Sequence, residues 1–124
     1  MRQSTRFGLF AVLLAIFLTA STVHAQMSTF SPTIIGLPSG DFELMMGAEA
    51  PFYAAEAPET GTTASWENPE NGDHGTAKLV EVFEWQGLPC RKIQHIVHIV
   101  GEKDLQTVTV DRCQVASGEW KIRL

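Results

Sequence analysis

The longest patterned stretch runs from Leu88 to Trp120, LPCRKIQHIVHIVGEKDLQTVTVDRCQVASGEW, and β-branched residues dominate it. Val100-Gly101-Glu102-Lys103 is the turn signal inside it, and a leading glycine suits a type II′ hairpin turn. With the loop centred between Gly101 and Glu102, facing residues have numbers that sum to 203, whether the loop holds two residues or four. Cys90 then faces Cys113, and either alternating site of an antiparallel ladder lies within disulfide reach. Lys92 faces Asp111, a favourable cross-strand pair.

Upstream, Ala77–Trp85 (AKLVEVFEW) is a strand with apolar runs on both sides of its pleat. Trp85-Gln86-Gly87-Leu88 closes it into a second hairpin with a type I′ signal, and facing numbers there sum to 173. Val80 is thus expected opposite Ile93, Val82 opposite Arg91, and Phe83 opposite Cys90. Ile93 in turn faces Val110, and His95 faces Val108. One sheet face collects Val80, Val82, Ile93, Val97, Val108 and Val110, the expected core face. Arg91 and Arg112 meet at its rim, an unfavourable pair unless a carboxylate joins them.

The remaining elements are shorter. Gln26–Pro38 is an extended lead-in whose Ile34, Ile35 and Leu37 are apolar enough to dock on the domain. Ser39-Gly40-Asp41 offers an N-cap and a first-turn carboxylate. Phe42, Met45, Met46 and Glu49 or Ala50 follow at helical spacing, and Pro51 ends the run. A helix over Ser39–Ala50 is therefore expected to lay that stripe on the sheet; a methionine-rich recognition surface is its other possible use. Phe52–Gly61 is an acidic linker, Thr62–Glu67 a short strand, and Asn68–Gly75 (NPENGDHG) a turn cluster. Ser117-Gly118 turns the chain into a closing strand, Glu119–Leu124. The fold class is α+β: one N-terminal helix packed on a four- to five-stranded antiparallel meander, with one disulfide.

Composition places this fold in a compartment. Arg2 and Arg6 precede the apolar run Phe7–Ala20, and Val23-His24-Ala25 is a small-residue cleavage site, the three parts of a signal peptide over residues 1–25. At 14 residues the apolar run falls short of the roughly 20 that span a bilayer. Gln26 stands where a lipoprotein would need cysteine, so no lipid anchor and no transmembrane segment are expected in the mature chain. Residues 26–60 form the lead-in, helix and acidic linker, and residues 61–124 the β domain. Two cysteines in an exported chain read as one structural disulfide. Its 24-residue loop stabilises by roughly 3 kcal/mol on chain-entropy grounds. The formal charge is −5, and losing Arg2 and Arg6 makes the remainder more acidic. Nucleic-acid binding is disfavoured, because phosphate neutralisation needs a basic face.

Candidate chemistry is sparse. His95 and His98 are three apart on a strand and so point to opposite faces. No G-x-S-x-G, H-E-x-x-H or phosphate-binding glycine loop occurs. No cofactor and no tight metal site are expected. Trp66, Trp85 and Trp120 either line a binding face or close the ends of a small core. The turn cluster and its acidic approach have no use in the hairpins, so Trp66, Asn68, Glu70, Asp73 and His74 are the candidate binding loop.

Gly61–Gly75 (GTTASWENPENGDHG), then GLPCRKIQ, then a second cysteine ahead of SGEWKI, resembles the C-terminal domain of the rickettsial seventeen-kilodalton surface antigens. The resemblance runs from about Gly61 to Ile122. It implies a small bacterial envelope domain of antiparallel β-structure without enzymatic activity. Many members carry a lipobox cysteine and a glycine zipper, which this chain does not show, so a free periplasmic or secreted form is expected, with association with the outer membrane or cell surface as the alternative. Arg112 precedes Cys113 here and Gln114 follows it, whereas the family's arginine usually follows its cysteine. The expected function is a non-catalytic surface-antigen-like module that binds an envelope component, protein or cell-wall polymer. A small inhibitor of a periplasmic or secreted hydrolase is the first alternative, and a small carbohydrate-active hydrolase the second.

Overall fold

The computed structural model describes residues 27–28, 34 and 36–123. The leader, its cleavage site and Ile35 lie outside the described residues. Strand β1 (Met27–Ser28) is followed by helix α1 (Ser39–Glu49), a 3-10 turn (Ala50–Tyr53), and strands β2 (Thr63–Glu67), β3 (His74–Trp85), β4 (Leu88–His98), β5 (Gln106–Gln114) and β6 (Trp120–Arg123). β2 to β6 form an antiparallel meander, and β1 adds to its β6 edge. The expected α+β class is the observed one.

The β4/β5 register is the expected one throughout: Cys90 pairs Cys113, Arg91 pairs Arg112, and Lys92 pairs Asp111. Cys90 and Cys113 are bonded across a Cα separation of 4.1 Å. The connecting loop is longer than expected, residues 99–105. Glu102 N–H donates to the Ile99 carbonyl at 3.0 Å, and Gly101 sits at φ +91°, so glycine is the third turn residue, as in a type II turn, not the second. Lengthening the loop evenly on both sides leaves the register intact. At the other hairpin Gln86 and Gly87 have φ of 49° and 76°, the type I′ turn.

The β3/β4 register holds from Trp85 to Glu81 and then slips by one, with Val80 the extra residue of a β-bulge. Leu79, not Val80, faces Ile93, and Ala77 faces His95. Val80 and Val82 are exposed, 40% and 43%: the bulge takes Val80 out of the core row, while Val82 keeps its expected place opposite Arg91 but is not covered. The physical reason lies further down the strand. An unbroken register would set Lys78 opposite His95 and Thr76 opposite Val97 on the buried face, and an unpaired buried ammonium is costly. The bulge turns Lys78 outward and brings Ala77 and Leu79 to full burial.

Helix α1 also departs from expectation. Pro38 occupies the N-cap position with no side-chain cap bond, so Ser39 does not cap. Its buried positions are Asp41, Met45, Ala48 and Glu49, a stripe at i, i+4, i+7 and i+8 that two carboxylates share. Phe42 is only partly buried, and Met46 lies beside the core, its Sδ 3.0 Å from Arg112 Nη2. The α-helix ends at Glu49, one residue early, and Ala50–Tyr53 continues as the 3-10 turn. Pro51 is tolerated there, since the first turn leaves its N–H positions unpaired anyway. Phe52, expected in the linker, is fully buried; Ile34 docks in the same core with Met45, Leu79, Ile93, Val97 and Val110.

Candidate functional site

Two charged clusters join the helix to the sheet. At the helix C-terminus the Glu49 carboxylate is fully buried and accepts from His95 Nε2 at 2.5 Å, from Arg112 Nε at 2.9 Å, and from the Tyr53 hydroxyl. Burial alone would raise the Glu49 carboxyl, but the His95 bond and the Arg112 charge outweigh it and hold it below the usual range. Burial, with the neighbouring carboxylate, pushes the Tyr53 phenol up. Arg91 donates to the carbonyls of Phe52 and Cys90, each at 2.9 Å, and to Ala54 at 3.3 Å. The opposed arginines are thus reconciled: Arg112 takes the carboxylate, and Arg91 takes the carbonyls that end the 3-10 turn. Trp120 stacks on Tyr53 at 4.7 Å with the Arg91 guanidinium 5.1 Å from its ring centroid.

At the helix N-terminus Asp41 is fully buried, with Asn68 Nδ2 at 2.7 Å and Asn71 Nδ2 at 3.1 Å on Oδ1. The Asp73 carboxyl bonds to the Asp41 carboxyl and also accepts from Val100 N–H at 2.7 Å. Two buried carboxyls in contact share a proton. The bond to Asp41 raises Asp73, while the bonds from Asp73, Asn68 and Asn71 overcome the burial of Asp41 and lower it. Asn68 also shapes the turn. Its Oδ1 accepts from Glu70 N–H at 3.0 Å, and its carbonyl accepts from Gly72 N–H at 2.7 Å.

The expected binding loop therefore divides. Trp66, Asn68 and Asp73 are buried, at 7%, 8% and 3% exposure, and serve the core and the turn. Glu70 and His74 face solvent. His74 is not in the loop but opens β3, opposite His98 on β4 and Glu67 on β2. Trp66 lies against Gly75, where an added Cβ would come within 2.7 Å of its indole Nε1 and 2.6 Å of the Ile96 carbonyl. That close approach explains why glycine stands there.

The sheet face away from the helix presents Thr63, Ser65, Glu67, Thr76, Thr107 and Thr109 to solvent or half-buried, with Lys78 and Gln94 between them. A shallow open depression of about 460 Å³ lies beside Ser65, Glu67, His74 and Thr76, and a smaller one of about 180 Å³ beside His98, Ile96 and Leu105. At the other end of this face Asp111 bridges Lys92 at 2.9 Å and Arg123 at 2.7 Å, and Arg123 lies 5.3 Å from the Trp85 ring centroid. Burial would raise the Asp111 carboxyl, but its bonds to Lys92 and Arg123 hold it low.

Sequence reasoning placed Asp41 in the first helical turn and Glu49 or Ala50 at the spacing of the stripe, but found the partners of neither carboxylate, nor the role of His95. Its one signal was the Arg91–Arg112 opposition, which called for a carboxylate without saying whose. Among the described residues no three His, Cys, Asp or Glu side chains converge as metal ligands, and no helix is long and apolar enough to cross a membrane. Comparison with protein-family models, with curated proteins and with solved structures returns no match.

Proposed function

We propose that this chain is an exported, non-catalytic module of the bacterial cell envelope, similar to the rickettsial surface antigens, that binds an envelope protein or cell-wall polymer. The observation that carries the reading is the division of labour between the sheet faces. The buried ionisable groups Asp41, Glu49, Arg91, His95 and Arg112 are spent on joining helix, loop and sheet. The helix-free face offers a broad, shallow, hydroxyl-rich surface edged by Glu67, His74 and the exposed Glu70. Such a surface suits recognition of an extended partner better than enclosure of a small substrate. A leader over residues 1–25 and a disulfide between Cys90 and Cys113 fit an oxidising exported setting.

Photo-crosslinkers at Ser65 and Thr107, on the open face, and at Glu43, on the exposed side of the helix, test this in intact cells. The expected result is an envelope adduct from the first two positions and none from Glu43. Equal labelling from all three, or reproducible turnover of a peptidoglycan, peptide or ester substrate, overturns the reading.

A further inference from the structure

We propose that His74 and His98 form a two-imidazole site for a divalent late first-row transition-metal ion on the helix-free face. His98 cannot join His95, which points into the core, but the β3/β4 register brings it opposite His74. Their ring centroids are 4.7 Å apart with the planes tilted by 39°. Two nitrogens bound to one ion at about 2.0–2.1 Å lie at most about 4 Å apart. His74 is exposed, so its side chain is free to adjust toward that spacing.

The hydrogen bonding prepares both rings. His74 Nδ1 lies 3.2 Å from the Gly72 carbonyl, which only accepts, so Nδ1 carries the proton and Nε2 keeps its lone pair. A backbone carbonyl holding the far nitrogen of a ligating histidine is a usual outer-shell arrangement at metal sites. His98 Nδ1 is buried with no hydrogen-bond partner among the described residues, and in the tautomer that leaves it unprotonated a metal would supply the partner it lacks. The depression beside both rings, about 180 Å³, leaves room for the ion and its water ligands. Glu67, the β2 partner of His74, extends the row and adds negative charge without converging as a third ligand. Coordination is therefore open and affinity modest, with copper(II) preferred over nickel(II) and zinc(II) for two imidazoles.

The test is titration of the purified full-length protein with copper(II), nickel(II) and zinc(II) salts, with continuous-wave EPR on the copper form. One ion per chain is expected, copper tightest, with nitrogen hyperfine structure from two imidazoles. His74→Ala and His98→Ala should each weaken binding at least tenfold, with Glu43→Ala, on the exposed side of the helix, unchanged. The EPR pattern needs no variant, so a poorly folding substitution does not blunt the test. One or no coordinated imidazole nitrogen in the wild type, or undiminished affinity in folded His74→Ala, overturns the site.

Discussion

Glu49 and Arg112 stand 63 positions apart in the chain and meet through a bond of 2.9 Å between Oε2 and Nε. Glu49 has no solvent exposure and the Arg112 side chain 6%, so neither charge has water to fall back on. Replacing one member of such a pair strands the other, at a cost of about 3–5 kcal/mol, whereas replacing both with apolar groups is often neutral. Glu49→Ala should therefore lower unfolding stability by about that amount. The double variant Glu49→Leu/Arg112→Met should recover much of it. Urea denaturation of Glu49→Leu, Arg112→Met and the double variant, beside Glu49→Ala, is the check, and additive losses in the double variant would contradict the pairing.

The carboxyls impose a pH dependence with two signs. Glu49 and Asp41 are held below their ordinary values of 4.5 and 3.8, so their stabilisation is present above those values and is lost as pH falls through the folded values. Asp73 is raised above 3.8, so its contribution is complete below that and is lost as pH rises through its folded value. Asp73→Asn keeps an acceptor for Val100 N–H and supplies a permanent donor to Asp41. It should be more stable than wild type at neutral pH and lack the loss on the rising side. Denaturation midpoints from pH 3 to 8 decide this; an unchanged profile rules out the shared proton.

The Cys90–Cys113 bond joins directly opposed residues in the sheet interior, both fully buried. Reduction, or Cys90→Ala, should lower stability by about 2–5 kcal/mol. Peptide mapping without reductant should recover the two cysteines linked. Free alkylation of both thiols in native exported protein would contradict the bond.

Gly75 has no space for a side chain, since its Cβ would sit 2.6 Å from a backbone oxygen that cannot swing away. Gly75→Ala should cost about 1–3 kcal/mol through displaced backbone and a shifted Trp66, the usual cost of overpacking. A blue or red shift in Trp66 fluorescence should accompany the loss. Gly47→Ala, where an added Cβ meets nothing within 4 Å, is the control and should not destabilise.

What the sequence by itself determined is what neighbouring residues decide together. Two turns and a period-2 pattern set the β4/β5 register, and with it the facing of Cys90 with Cys113 and of Lys92 with Asp111. Type I′ geometry followed from Gln86-Gly87, because few residue pairs accept two positive φ angles. The tertiary structure decided everything that depended on a distant partner. Helical spacing from Met45 puts Asp41 and Glu49 on the sheet side of the helix, but burying two carboxylates there is possible only because Asn68, Asn71, His95 and Arg112 wait at the far end of the fold. The bulge at Val80 is of the same kind: an even pleat fits β3 alone, but it would drive Lys78 under the helix. His74, legible only as a loop residue, becomes a strand residue facing His98 because Asn68 closes the turn two residues earlier than composition suggests. Backbone preference acts within a few residues, whereas the cost of an unpaired buried charge is settled by whatever the whole chain brings beside it.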